Sequence, residues 1–361
     1  MAIPPATAEQ NKRVTALGDL STDLPYRQDN PPARPASNAT RPRGANARHF
    51  AALDLGTNNC RLLIARPQGA GFAVVDAFSR IVRLGEGLAA NGRLGDAAIE
   101  RTIAALRVCA DKLKRRNVTL ARSVATEACR RASNGAEFIA RAHAETGIRL
   151  DIISAEEEAR LAVLGCHALL EPGEGPALVF DIGGGSTELV LIDTATPVPT
   201  VIDWHSAPWG VVSLTESAGG GQDAGGRAVA YARMRDLVAT SFAPFAARLP
   251  APPEYPRLLG TSGTVTTLAS VHLGLSHYDR GAVDGLIVPA EAMRRISGDL
   301  AGMSIAERAT LPCIGNERAD LVVAGCAILE SILDVWPADR LGIADRGIRE
   351  GILRRLMDTA R

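Results

Sequence analysis

The stretch DIGGGSTE at residues 181–188 sets three glycines between an apolar run and an acid, and what their backbone touches decides the fold. Gly183, Gly184 and Gly185 carry no side chain, so the turn can adopt positive φ and come close to a ligand. Consecutive amides in such a turn point inward and form a concave anion site. Alone, the run reads equally as an ordinary hairpin turn. A second copy changes that. In HFAALDLGTNNCRLLIARP, residues 49–67, apolar residues again lead to an acid, a turn and another apolar run. Laid over ALVFDIGGGSTELVLID at 177–193, Asp54 meets Asp181, Gly56 meets Gly183, Asn59 meets Ser186, and Leu62-Leu63-Ile64 meets Leu189-Val190-Leu191. The hairpins stand 127 residues apart and predict a duplicated domain.

Between the hairpins the period changes. GDAAIERTIAALRVCADKLKRRN at 95–117 repeats apolar residues every three or four positions and ends in a basic cluster, which predicts an amphipathic helix. ARSVATEACRRA and RLDIISAEEEARLAVLGCHALL each read as strand into helix. Beyond the second hairpin the pattern predicts a helix near 227–248, then a strand entering a helix through the glycine-rich GTSGT of 260–264. GNERADLVVAGCAILESILDVW is predicted helical, and RLGIADRGIREGILRRLM reads as strand, turn and helix. Strands alternating with helices define an α/β fold with crossover helices on each sheet.

Composition narrows the class. The 361 residues suffice for two domains, and 40 basic residues balance 40 acidic ones, which argues against a general nucleic-acid binder. Six cysteines without a CxxC pair point to free thiols in a reducing cytoplasm, not to disulfides or zinc ligands. No apolar run is long enough to span a membrane, and no signal-peptide core is visible. Residues 1–47 hold seven of the 21 prolines and predict a disordered, Pro/Arg-rich arm whose Arg34, Arg41 and Arg43, with the adjacent Arg48, read as solvated. SAGGGQDAGGR at 217–227 is predicted to be a surface loop.

Motif tests then bear on the ligand. A Walker loop is absent, and GxGxxG fails because Glu188 follows Ser186-Thr187. What remains is an acid with a glycine turn, twice, plus GTSGT. Facing turns would offer two sets of N–H donors to a phosphate. Asp54 and Asp181 could hold hydrated magnesium, which takes one or two carboxylates together with phosphate oxygens.

Taken together, LDLGTNNCRLLIA, SVATEACRRASN, IISAEEEARLAVLG, DIGGGSTELV, LLGTSGTVTTLA, NERADLVVAG and IADRGIREGIL resemble, in order, the blocks of the exopolyphosphatase and guanosine pentaphosphate phosphohydrolase (Ppx/GppA) family. That family belongs to the superfamily of actin, sugar kinases and heat-shock chaperone ATPases. The resemblance implies two actin-like (ribonuclease H-like) domains, 48–172 and 173–361, with the active site in the cleft between them and the C-terminal helix packing back on the first. It implies a phosphohydrolase that releases orthophosphate from the end of a phosphate chain. Glu158 falls on the general base for the attacking water, and Asp181 and Glu188 on further catalytic acids. Asp54, Asp181 and Glu188 make the implied Mg2+ set. Phosphate binding falls on Asp54, Gly56, Thr57, Asn58, Asn59, Arg61 and Arg130. It also falls on Gly183, Gly184, Gly185, Ser186 and Thr187, and on Gly260, Ser262, Gly263 and Thr264.

Phosphoryl transfer needs positioning and charge stabilisation more than covalent help, so amides, arginines and magnesium suit it. Neighbouring negative charge would raise the Glu158 pKa, while the helix N-terminus would lower it. Asn59 replaces the family's usual serine, and an amide also donates a hydrogen bond. Long family members add C-terminal helical domains, so a chain ending at Arg361 points toward the two-domain core and shorter substrates. Three functions stay open: exopolyphosphatase, pppGpp 5'-phosphohydrolase, and a non-enzymatic sensor of guanosine alarmones. The implied partners are polyphosphate or a phosphorylated guanosine nucleotide, with a homodimer expected from the family and neither nucleic acid nor membrane.

Overall fold

A computed structural model describes residues 48–360 apart from positions 70, 220 and 222. The predicted arm at 1–47, with Arg34, Arg41 and Arg43, lies outside the described residues. Two mixed sheets organise the rest. The first half supplies β1 (His49–Leu55), β2 (Asn59–Gln68), β3 (Gly71–Ile81), β4 (Val118–Ala125) and β5 (Leu150–Ile152), in the order β3-β2-β1-β4-β5. The second supplies β6 (Ala177–Ile182), β7 (Thr187–Asp193), β8 (Thr200–Ala207), β9 (Arg257–Thr261), β10 (Ile287–Pro289) and β11 (Arg340–Ala344), in the order β10-β11-β9-β6-β7-β8. In each, an antiparallel hairpin (β1–β2, β6–β7) joins parallel partners reached through helices: β1 pairs with β4, and β6 with β9. Central strands buried on both faces explain why LLIA and ALVF read as continuous apolar runs.

The helix predicted at 95–117 runs from Asp96 to Arg115 and buries Ile99, Ile103, Leu106 and Cys109 on one face. The loop predicted at 217–227 is shorter. Helix Val211–Ala218 and helix Ala224–Ala246 take its ends, and the Asp223 carboxylate accepts the Gly226 amide to start the latter. The helix predicted over 315–336 is split into Gly315–Arg318 and Val322–Val335.

Two helices position the site. Ala155–Cys166 follows β5, with the Ser154 hydroxyl accepting the Glu157 amide at its start. Ile348–Thr359 follows β11 of the second sheet, yet Ile348, Ile352, Leu353 and Met357 pack with Phe50, Ala52, Leu63 and Val124 of the first. The two helices touch backbone to backbone: a Cβ on Gly165 would stand 1.9 Å from the Gly347 carbonyl oxygen, and one on Gly351 2.1 Å from that of Leu161. All six cysteines are free thiols, five of them buried. No described helix is long and apolar enough to cross a membrane.

Candidate active site

The two hairpins close their turns identically, Gly56 donating to the Asn59 carbonyl and Gly183 to that of Ser186, each at 2.9 Å. The positive φ expected of the glycine run does not occur: Gly183, Gly184 and Gly185 all lie outside the left-handed region. Close approach is what demands glycine. A Cβ on Gly184 would stand 3.0 Å from the Asn58 nitrogen and from Thr57 Cβ, and one on Gly185 only 2.6 Å from Thr57 Oγ1. The glycine backbone therefore touches the other hairpin. Behind it, the Val211 and Val212 amides donate to the carbonyls of Gly183 (3.0 Å) and Gly184 (2.8 Å). Since C=O and N–H oppose each other across a trans peptide, the Gly184 and Gly185 amides are turned the other way.

A cavity of about 140 Å³ lies between the hairpins. The first hairpin contributes Asp54, Gly56, Thr57, Asn58, Asn59 and Arg61 to its wall, and the second contributes Asp181, Gly183, Gly184, Gly185 and Ser186. Ser262, Gly263 and Thr264 enter from the turn after β9, and Glu158 from the start of its helix. Ser262 stands at φ 156° and ψ 171°, a region left almost entirely to glycine, and its hydroxyl accepts the Thr264 and Val265 amides at the start of helix Gly263–His272.

Four of the expected residues sit off the wall. Thr187 is buried, its hydroxyl donating to the Trp209 carbonyl. Gly260 pairs with Phe180 across β6 and β9, and a Cβ there would meet the Phe180 ring at 2.4 Å, so sheet packing explains it. Glu188 is buried off the cavity wall and accepts the Ser206 hydroxyl at 2.8 Å. Arg130 holds acids: it donates to Glu127 at 2.5 and 3.1 Å, to Glu158 at 3.2 Å and to the Ile153 carbonyl at 2.8 Å.

Beyond what the sequence reading assigned, the wall holds polar Thr126, Glu127, Thr267 and Arg318 and aliphatic Ile182, Val211, Leu321, Val322 and Ile348. Arg318 donates to Thr267 Oγ1 at 2.8 Å. A Cβ on Gly263 would lie 3.7 Å from Arg61 Nη2 and 3.9 Å from Arg318 Nη1, so guanidinium groups from both halves converge at the start of one helix, whose dipole adds to their attraction for an anion. Glu127 also borders a neighbouring hollow of about 420 Å³ lined by Ala155, Trp204, His205, Ser206 and Pro208.

The acids are held in an unusual state. Burial raises the Glu158 carboxyl well above its ordinary range, and the charges of Glu188, Asp54 and Asp181 add to this against the pull of Arg130. Burial, with Glu188 and Asp54 beside it, pushes Asp181 up to about 8. Burial lifts Glu188 to about 7 despite hydrogen bonds from Ser186 and Ser206. It also raises Asp54, against Arg61. Among the described residues no three His, Cys, Asp or Glu side chains converge as a preformed metal site. Asp54 and Asp181 nevertheless line one cavity, and Asp54 Oδ1 is buried without a protein donor. That donor set fits Mg2+, which fills most of its shell with water and phosphate oxygens.

Two mixed sheets with facing hairpin turns define an actin-like, two-domain α/β protein with a phosphate-sized cleft. The chain belongs to the Ppx/GppA phosphatase family, which it matches over residues 63–360. It is 34% identical over 317 residues to Exopolyphosphatase 2 of Mycobacterium tuberculosis, covering 84% of this chain and 96% of that one. It is 28% identical over 318 residues to the guanosine-5'-triphosphate,3'-diphosphate pyrophosphatase of Aeromonas salmonicida, covering 86% of this chain but 60% of that relative's length. The crystal structure of the Aquifex aeolicus family member superimposes with a TM-score of 0.71 at 28% identity, over 87% of this chain and 99% of that one.

Proposed function

We propose that the cleft hydrolyses the terminal phosphoanhydride of inorganic polyphosphate and releases orthophosphate. The observation that carries this reading is the charge gathered on one cavity wall: acids at Glu158, Asp54 and Asp181 and guanidinium groups at Arg61 and Arg318, set beside aliphatic Ile182, Val211, Leu321, Val322 and Ile348 with no aromatic ring among the lining residues. The halves 48–172 and 173–361 act as two domains closing on the substrate in the cytoplasm. The terminal phosphate lies between the hairpin turns, whose amides cover its non-bridging oxygens. Glu158, in its ionised form, accepts a proton from the attacking water as the water oxygen bonds phosphorus, the raised proton affinity making it the stronger base. The bridging P–O bond breaks, and the shortened chain leaves toward Arg61 and Arg318 with its charge covered. Arg130 orients Glu158 by holding Oε2. Asp54, Asp181 and Glu188 would hold Mg2+, which when bound would supply charge neutralisation.

The Trp204 and His205 hollow beside Glu127 favours a second reading, in which the same bond is cut in pppGpp with the base resting on a ring. Orthophosphate release with Mg2+, from polyphosphate and from pppGpp at matched terminal-phosphate concentration, separates the two. Glu158→Gln should lower release from the true substrate roughly a hundredfold or more while substrate still binds. Nucleotide binding without release from either compound would make the protein a sensor.

A further inference from the structure

Residues 82–87 follow β3 and wrap the outside of the first hairpin. The Val82 and Arg83 amides both donate to the Asn58 carbonyl, at 2.8 and 3.0 Å, and the Gly85 amide donates to that of Thr57 at 2.9 Å. Drawing these carbonyls outward turns the Asn58 and Asn59 amides inward, and the Asn58 nitrogen does face Gly184. The loop therefore aims the hairpin's donors.

Arg83 sits in this loop at φ 48°, a left-handed conformation uncommon for a residue with a side chain. Its guanidinium crosses to the other half of the molecule. There it donates to both Asp320 oxygens, at 3.0 and 3.3 Å, and to the Glu317 carbonyl at 3.4 Å. These acceptors flank Arg318 in the chain. Beside it the Gly87 amide donates to Glu216 at 2.8 Å, on the helix whose first amides hold the Gly183 and Gly184 carbonyls. One loop thus touches the backing of both hairpins and the segment that carries Arg318.

We propose that Arg83 is a positioning residue for hydrolysis: its fork on Asp320 fixes the first phosphate hairpin against Arg318 and the second hairpin when the cleft closes. This rests on the reading that the cleft hydrolyses phosphoanhydrides. The two side chains are 34% and 30% exposed, so the pair adds little to stability, and a mere strut would leave no kinetic trace.

The test measures kcat, KM and Tm for orthophosphate release from polyphosphate by wild type, Arg83→Ala, Arg83→Gly, Asp320→Ala and the exchanged pair Arg83→Asp with Asp320→Arg. Arg83→Gly removes the guanidinium while suiting the left-handed backbone, which keeps a folding defect from imitating the effect. Each single variant should lose about fivefold or more in kcat/KM with Tm shifted by no more than a few degrees, and the exchange should recover part of the loss. Unchanged kinetics in Arg83→Gly, or a loss that tracks falling Tm without recovery on exchange, overturns the coupling while leaving the hydrolase reading intact. No release by the wild-type protein overturns both.

Discussion

The two hairpins share a turn bond, a strand pairing and an acid that faces the cleft at the same position, and they differ in the residues around that acid. Across its strands the first pairs Asp54 with Arg61; the second pairs Asp181 with Glu188. Where the first carries Thr57 and Asn58, the second has Gly184 and Gly185, and the side chains of one occupy the space the other leaves empty. Duplication supplied the frame, and complementary divergence made the halves fit. The first hairpin holds a counter-ion for its own acid, whereas the second keeps two buried acids whose proton affinity is raised.

Making the first hairpin charge-like the second is the harshest way to break this contrast. Arg61→Glu should raise KM for polyphosphate about a hundredfold, because it removes a half-buried cation from the cavity wall and adds an anion beside Asp54 and Asp181; steady-state phosphate release measures it. Next comes shape. Gly184→Ala drives a methyl group to 3.0 Å from Asn58 and Thr57 and should cost about tenfold or more in kcat/KM by holding the hairpins apart. Gly56→Ala, whose Cβ would lie at an ordinary 3.6 Å from the Asn59 carbonyl, should cost far less in the same assay.

Proton linkage sharpens the contrast further. Folded Asp181 keeps its proton to about pH 8, whereas an unperturbed aspartate loses it near 3.8. Over that window the unfolded chain binds fewer protons, so stability must fall as pH rises through it. Metal-free Tm should therefore decline from about pH 4 to 8, Asp181→Asn should flatten the slope, and Mg2+ should restore Tm at pH 8, all read by thermal melts. The mildest change is Asn59→Ser, which gives the first turn the residue of the second. Both donate a hydrogen bond, and a neutral hydrogen bond is worth about 1 kcal/mol net, so kcat/KM should stay within about fivefold.

The hairpins were legible in the sequence because an acid, a glycine turn and apolar runs are local signals, and their repetition at one spacing exposed the duplication. The companions of Glu158 were not. Glu127 reads as an ordinary charged residue at the start of a short helix until Arg130 is seen tying it to Glu158 across 28 and more positions of chain. Arg318 lay inside a quoted block, but a continuous helix over 315–336 was expected, and the break at 319–321 that sets it on the wall follows from packing. The pair of charged residues ahead of a long apolar run was the available signal. Gly260 shows the converse: GTSGT looked uniform, and only the register against Phe180 separates its sheet glycine from the turn residues that line the cavity.

The return of helix Ile348–Thr359 onto the first sheet bears on how the protein is made. During synthesis, β1, β2 and β4 emerge long before the helix that covers Phe50, Ala52 and Leu63. The amino-terminal half must therefore wait, with an apolar face open to water or to a chaperone, until the chain through residue 359 has left the ribosome. Glycines at 165, 347 and 351 let that late helix seat itself backbone against backbone. Their replacement would be felt first as poor yield of soluble protein, before any assay of turnover could be run.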